Sequence, residues 1–244
     1  MKKAIIPGLV LLLLLFVTGS SGQEFQSPLD FDHIEALFNS SCVVKLNSGE
    51  DVTGTFNGIM MSSENYLSQI IIRLENKKWK KYHADEISSF WVKSTSRAGS
   101  YGMLHGRTIS VNGWTMDLDG KVIGDYFIFY PALKNRRGTK IRLYQLLNPG
   151  FDNRIKVLFY EYCEGGSRGT GIGADFTYTD AGSMTFILVK DGESYFTKPQ
   201  NYQEIGKQLY SDCPKMREVF GGTYNWNDLI KHIIVYDKFC RFEY

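Results

Sequence analysis

Residues 44–56 read VKLNSGEDVTGTF and indicate how the N-terminal half of the chain folds. Apolar side chains occupy alternate positions at Val44 and Leu46 and again between Val52 and Phe56. The Asn-Ser-Gly sequence between these two segments is typical of a tight turn, because glycine accepts a positive φ angle. Alternation on both sides of a turn predicts a β-hairpin with one buried face.

The elements around this hairpin extend the β pattern. Apolar residues at near-helical spacing within 29–38 predict a short helix before it. After it, alternation at 70–74, a turn at Asn76 and a return segment at 79–84 predict a second hairpin. A fifth strand is predicted over 87–92.

A short helix followed by five strands over 28–94 resembles an Sm-like barrel, a small closed sheet of the SH3-like type. The resemblance rests on first-hairpin residues, namely Val44, Leu46, Gly49, Val52, Gly54 and Phe56. RNA-binding Sm proteins hold uridine with Asp and Asn after the second strand and an Arg-Gly pair near the fourth. In this chain, residues 58–68 contain only Asn65 as a counterpart of that Asp and Asn. Residues 84–86 read Ala-Asp-Glu where the Arg-Gly pair would stand. The resemblance therefore implies a fold without this RNA site.

A second module is predicted beyond a Gly/Ser-rich linker at 95–105. Strands in 106–244 are joined by hairpin turns at Asp119-Gly120 and Asp191-Gly192. After Pro199 the apolar spacing becomes helical. We therefore expect an α+β, mostly β fold, in which the small barrel precedes an antiparallel sheet domain with C-terminal helices.

Two motifs in the second module are QLLNPGFD at 145–152 and SDCP at 211–214. They resemble a family of exported bacterial proteins with no assigned activity, and the resemblance spans most of 120–236. It implies a periplasmic or extracellular setting and no particular chemistry.

The first 22 residues have the layout of a secretory signal peptide, with Lys2 and Lys3, an apolar run at 9–17 and small residues up to Gly22. A membrane-spanning helix needs about 20 apolar residues, and this run is shorter. We expect a secreted or periplasmic protein without stable membrane insertion after cleavage. Cleavage removes two of 28 basic residues and leaves 26 against 26 acidic ones, so the mature net charge is zero with neutral histidines.

Zero net charge argues against nucleic acid as a partner, because phosphate-backbone affinity comes from excess Lys and Arg. A local basic cluster at Lys77, Lys78, Lys80 and Lys81 is interpreted as a solvated hairpin edge, protected against pairing with other strands.

The four cysteines are Cys42, Cys163, Cys213 and Cys240. An oxidising compartment permits disulfides, and four cysteines allow three pairings. Cys213 and Cys240 flank the C-terminal helical segment and are the favoured pair.

No motif specifies catalysis. The segment Gly165–Gly173 lacks the Lys-Ser/Thr of a phosphate loop and the helix of a dinucleotide site, so a loop that can line a site is predicted. An enzyme with thiol or hydrolytic activity near this loop, using Cys163, Cys213 and His232, is the rival hypothesis. The scattered histidines predict no metal site, and no cofactor is expected.

Aromatic residues are abundant, with 15 Tyr, 16 Phe and 4 Trp. Most are expected to fill the core. Trp79, Trp91 and Trp114 lie on predicted strands, and an exposed tryptophan would anchor a partner. We therefore expect a non-enzymatic binding or assembly module that contacts a protein or glycan through surface aromatics.

Overall fold

The computed structural model describes residues 25–26, 29, 31–61, 67–95, 109–111, 114–116, 125–133, 140–160 and 185–240. The predicted signal peptide, the linker beyond residue 95, the Asp119-Gly120 turn and the 165–173 segment lie outside the described residues. The described part of the chain is mostly β, with a closed barrel, a second sheet and C-terminal helices. The predicted α+β, mostly β architecture is confirmed at this level.

Twelve strands are described in chain order: β1 Ser41–Leu46, β2 Asp51–Met61, β3 Leu67–Arg73, β4 Trp79–His83, β5 Ile87–Lys93, β6 Ile109–Val111, β7 Trp114–Met116, β8 Tyr126–Leu133, β9 Ile141–Gln145, β10 Lys156–Tyr160, β11 Thr185–Lys190 and β12 Glu193–Thr197. The α-helices are α1 Tyr202–Leu209, α2 Pro214–Phe220 and α3 Leu229–Phe239. Short 3₁₀ helices span Phe31–Leu37, Ala84–Glu86 and Trp226–Asp228. The helix expected before the first hairpin is thus of the 3₁₀ type.

The barrel is a closed antiparallel sheet of six strands, in the order β2, β1, β5, β8, β9, β3. It closes on itself because β3 pairs with β2 along its length and with β9 at Leu67 and Leu143. β4 pairs with β3 alone among the described strands, so it lies outside the closed barrel as an edge strand. We call β4 the flap. Since β8 and β9 follow the 95–105 segment, the closed sheet takes strands from both sides of the predicted linker.

The barrel interior is filled by alternate residues of these strands, because side chains along a strand point to opposite faces. Its buried members include Val44, Phe56, Ile70, Ile72, Phe90, Val92, Phe127, Phe129 and Leu143. The rings of Phe56 and Phe129 lie 5.1 and 5.8 Å from that of Phe90. Gly54 is needed for close strand approach, since a Cβ there would lie 2.7 Å from the Arg73 carbonyl oxygen.

The second sheet, β10–β11–β12, lies between the barrel and the helices. One face packs on the outside of the barrel through Leu158, Tyr160 and Ile187 against Ile128, Tyr144 and Leu146. The other face packs on the helices through Val157, Phe159, Phe186 and Leu188 against Leu209, Met216 and Ile233. Apart from the two-stranded β6–β7 pair, the described part of the chain therefore stacks in three layers, and the second sheet buries both of its faces.

The QLLNPGFD motif forms the connection between β9 and β10. The fully buried amide of Asn148 donates to the Ile155 carbonyl (2.8 Å), and its Oδ1 accepts from the Val157 N–H (2.8 Å). Gln145 Oε1 accepts from the Leu29 N–H at 2.6 Å. These amides satisfy buried backbone groups, so the motif has a structural role.

A disulfide joins Cys213 to Cys240, with their Cα atoms 5.6 Å apart. This is the pair favoured from the sequence. The bond links the residue before α2 to the residue after α3, and so ties the two helices together.

Candidate functional site

Trp79 begins the flap strand β4 and is 62% exposed, the largest exposed fraction among the described large apolar residues. The β3–β4 turn places it there. The Lys77 N–H donates to the Leu74 carbonyl at 2.9 Å, and Lys77 adopts a φ of 62°. The Asn76 side chain caps the turn by accepting from the Lys78 N–H at 3.1 Å.

The register of β2, β3 and β4 puts Trp79 on a defined surface. Tyr82 and its neighbours Ile70 and Ile72 point into the core, so the alternate residues point outward. We call the outward face of these three strands the outer platform, which consists of Trp79, Lys81 and His83 on β4, Arg73, Ile71 and Gln69 on β3, and Thr55, Gly58 and Met60 on β2.

The outer platform carries unneutralised positive charge. Within the described residues, Arg73 and Lys81 are exposed and form no ion pair with a carboxylate, and the same holds for Lys77 and Lys78 at the turn. Lys80 points to the other side, where its Nζ lies 4.7 Å from the Tyr82 ring centroid. The nearby Tyr82 hydroxyl raises the pKa of Lys80, so this lysine also keeps its charge.

One end of the outer platform is held by hydrogen bonds. Gln69 Nε2 lies 3.0 Å from His83 Nδ1 across the two strands. The His83 N–H donates to Glu86 Oε2 at 2.7 Å, which closes the exposed backbone of β4 at this end. The side chains at the Trp79 end are left to solvent.

Trp91 lies elsewhere and has a packing role. It pairs in register with Val43 and Ile128, and its Nε1 donates to Ser89 Oγ at 2.9 Å. Its ring lies 6.2 Å from that of Tyr126, in the cluster covered by the second sheet. The structure therefore does not bring Trp79 and Trp91 together. Trp114 is in β7, and its side chain lies outside the described residues.

Within the described part of the chain, no cysteine offers an accessible thiol. Cys213 is bonded to Cys240. Cys42 is a free thiol inside the barrel, and burial raises its pKa to about 12, which disfavours the thiolate. Cys163 and the 165–173 loop lie outside the described residues.

His232 belongs to a buried polar cluster in the helical layer. Its Nδ1 lies 2.8 Å from the Tyr202 hydroxyl, which lies 3.0 Å from the Tyr210 hydroxyl. Burial lowers the pKa of His232 to about 4, so the ring is neutral at pH 7. The arrangement orients the helices around a neutral imidazole, and among the described residues no free thiol lies beside it.

A charged network beside this cluster was not anticipated from the sequence. Lys190 Nζ lies 2.7 Å from Asp212 Oδ1 and donates to the Leu209 carbonyl at 2.6 Å. The Tyr236 hydroxyl donates to Asp212 Oδ2 at 2.7 Å. Burial acts to raise the pKa of Asp212, but the hydrogen bonds from Lys190 and Tyr236 outweigh it and lower the pKa. The aspartate of the SDCP motif thus joins β11 to α3.

In the described ranges, no group of three or more His, Cys, Asp or Glu side chains is arranged to hold a metal ion. No helix in the described part of the chain combines the length and apolar character that a membrane span requires.

Comparisons with known proteins find no relative: no family model matches the chain, and neither a curated protein nor a solved structure matches it. The candidate site therefore rests on the exposure, register and charge of the outer platform.

Proposed function

We propose that this protein is an exported, non-enzymatic binding or assembly module that contacts a protein or glycan through the outer platform. The observation that carries the proposal is Trp79, whose indole is left in solvent on a hydrogen-bonded strand. A tryptophan is the side chain with most to gain from burial against a partner, and its rigid ring loses little entropy on binding. Arg73 and Lys81 beside it supply polar contacts.

The compartment is part of this proposal. Residues 1–22 act as a cleaved signal peptide, and the mature protein is secreted or periplasmic without stable membrane insertion. The Cys213–Cys240 disulfide is compatible with this, because disulfides persist in oxidising compartments. The QLLNPGFD and SDCP motifs support membership in the family of exported bacterial proteins that they resemble.

We propose that the barrel is of the Sm-like or SH3-like type. In support, a short helix precedes β1 to β5, and the long strand β2 pairs with β1 on one side and with β3 on the other, the β2–β3 pairing containing two register shifts. In this proposal β8 and β9 are additions that fill the gap between β5 and β3. The barrel serves as a rigid support for the outer platform and does not bind nucleic acid.

The rival proposal, a thiol enzyme, needs a reactive thiolate. Because Cys213 is bonded and the Cys42 thiol is buried, this role falls to Cys163. Labelling of the native protein with a maleimide at pH 7 separates the two proposals. We expect no rapid reaction, whereas fast modification of Cys163 would favour the enzyme.

Site-specific photo-crosslinking tests the binding module directly. A benzophenone amino acid replaces Trp79 in one variant and Phe239 in the control, since Phe239 is 52% exposed at the end of α3. Both variants are expressed in the cells that export the protein and irradiated. We expect a discrete protein or glycan adduct from position 79 and none from position 239. The same yield from both positions, or no adduct from position 79, would refute the proposal.

A further inference from the structure

The outer platform has an apolar strip formed by Trp79, Ile71 and Met60, with glycine at Gly58 beside Ile71. Gly58 lies opposite Ile71, and a Cβ at Gly58 would lie 3.5 Å from Ile71 Cδ1. Because glycine has no side chain, the flank of Ile71 stays open between Trp79 and the exposed Met60. Gly58 follows a register shift in β2, where glycine is common, and its missing side chain also leaves room for a ligand to approach the backbone.

Cationic groups flank this strip at short range. Arg73 pairs in register with Trp79, which places their Cβ atoms about 5 Å apart. Lys81 lies two residues along β4 on the same face, about 7 Å from Trp79. An aromatic face with one cation across the strand pair and a second along its own strand fits a ring that carries a carboxylate, with the C–H groups of the ring against the indole.

The size of the outer platform argues for a narrow ligand. Three strands of about 4.8 Å width each and three rows of about 7 Å each measure about 14 Å by about 21 Å, which is about 300 Å². A stable protein interface buries about 800 Å² on each partner. The platform thus accommodates a few sugar residues of an extended chain and is small for a protein partner.

Two other anionic partners, a membrane surface and a nucleic acid, fit the outer platform less well. The turn residues before Lys77 are Glu75 and Asn76, whereas insertion into a membrane interface would favour apolar residues at the turn. Nucleic acid calls for an excess of basic residues, which the mature chain lacks.

We infer that the outer platform binds an acidic polysaccharide, with a uronic acid ring stacked on Trp79 and its carboxylate held by Arg73 and Lys81. This inference rests on the proposed function and narrows its ligand to one class. It requires no cofactor and no covalent step.

Calorimetric titration of the mature protein, residues 23–244, tests the inference. The probes are oligogalacturonate, oligoalginate and carboxyl-reduced oligogalacturonate of the same length. We expect binding of the acidic oligomers and at least tenfold weaker binding of the reduced one. Affinity for the acidic oligomers should fall several-fold as salt rises from low to physiological concentration, because the contacts are exposed charges.

Variants assign the binding to the outer platform. Trp79→Ala should weaken binding at least tenfold and Trp79→Phe less, since phenylalanine retains part of the stacking face. Arg73→Gln with Lys81→Gln should weaken it several-fold and remove most of the salt dependence. Phe239→Ala is the matched aromatic control and should bind like the wild type.

Lys231→Gln with Lys238→Gln removes the same charge from α3 and should also leave affinity unchanged. Phosphatidylglycerol vesicles, polyglutamate and oligouridylate serve as competing anions. Preference for any of these, equal binding of the reduced oligomer, or no binding of the acidic oligomers would overturn the inference. If the acidic oligomers fail to bind but the photoadduct at position 79 forms, the inference about the ligand is wrong and the proposed binding function stands. If the photoadduct is also absent, the proposed function fails as well.

Discussion

The Cys213–Cys240 bond gives a stability prediction whose size follows from its place in the chain. The two cysteines are 27 residues apart and both are buried. In the chain-entropy treatment a loop of this length restricts the unfolded chain by about 3.6 kcal/mol at 25 °C. Replacing both cysteines by alanine should therefore lower the free energy of unfolding by about 3 to 4 kcal/mol. For a mature chain of this size the expected fall in Tm is about 7 to 14 °C.

Urea denaturation of the mature protein, followed by far-UV circular dichroism, measures this loss. The midpoint should fall with little change in slope, and dithiothreitol should shift the wild type to the same extent while leaving the double variant unchanged. Reduction that leaves the wild-type midpoint in place, or a loss below about 1 kcal/mol in the variant, would refute the reasoning that this bond restrains the unfolded chain.

Three further substitutions probe the helical layer and the β9–β10 connection. Burial lowers the pKa of His232 from 6.5 to about 4, so between these pH values the unfolded state binds more protons than the folded state. The free energy of unfolding should therefore fall by about 3 kcal/mol as the pH drops from about 6.5 to about 4. His232→Phe should flatten that part of the stability profile, and an unchanged slope would contradict the assignment. A Cβ at Gly206 would lie 2.6 Å from Tyr224 Cβ, so Gly206→Ala should lower the free energy of unfolding by about 1 to 3 kcal/mol in urea melts. As a control, Lys207→Ala at an exposed position of the same helix should change it by less than about 0.5 kcal/mol. Asn148→Ala leaves buried backbone groups unpaired and should cost about 2 to 4 kcal/mol by the same assay, and a neutral result would show that water replaces the amide.

The first hairpin shows how much local sequence can predict. Alternation at 44–56 and the turn glycine, which has a φ of 88° at Gly49, specify β1, β2 and the register between them. The information lies within a few residues, because side-chain period and turn geometry are properties of adjacent positions. The second hairpin and the C-terminal helices were predicted on the same basis.

Local sequence patterns do not predict how the barrel closes. β9 reaches β3 through Leu67 and Leu143, which are far apart in the chain, and β8 fits beside β5 across the predicted linker. Alternation predicts that a strand has a buried face, but it does not name the strand beside it. The motif 145–152 is recognisable as a pattern, and only the structure shows that its amides hydrogen-bond the backbone at Leu29 and at Ile155 and Val157.

The sequence by itself predicted the strands of the first two hairpins, their turns, the C-terminal helical segments and a tryptophan at position 79 as a candidate site residue, because these depend on the order of neighbouring residues. Trp79 and Trp91 have the same sequence signature, a tryptophan on a predicted strand. Tertiary structure decided that Trp91 packs beneath the second sheet while Trp79 stays exposed on the flap. Exposure is set by which layers cover a strand, and that depends on pairings between distant segments.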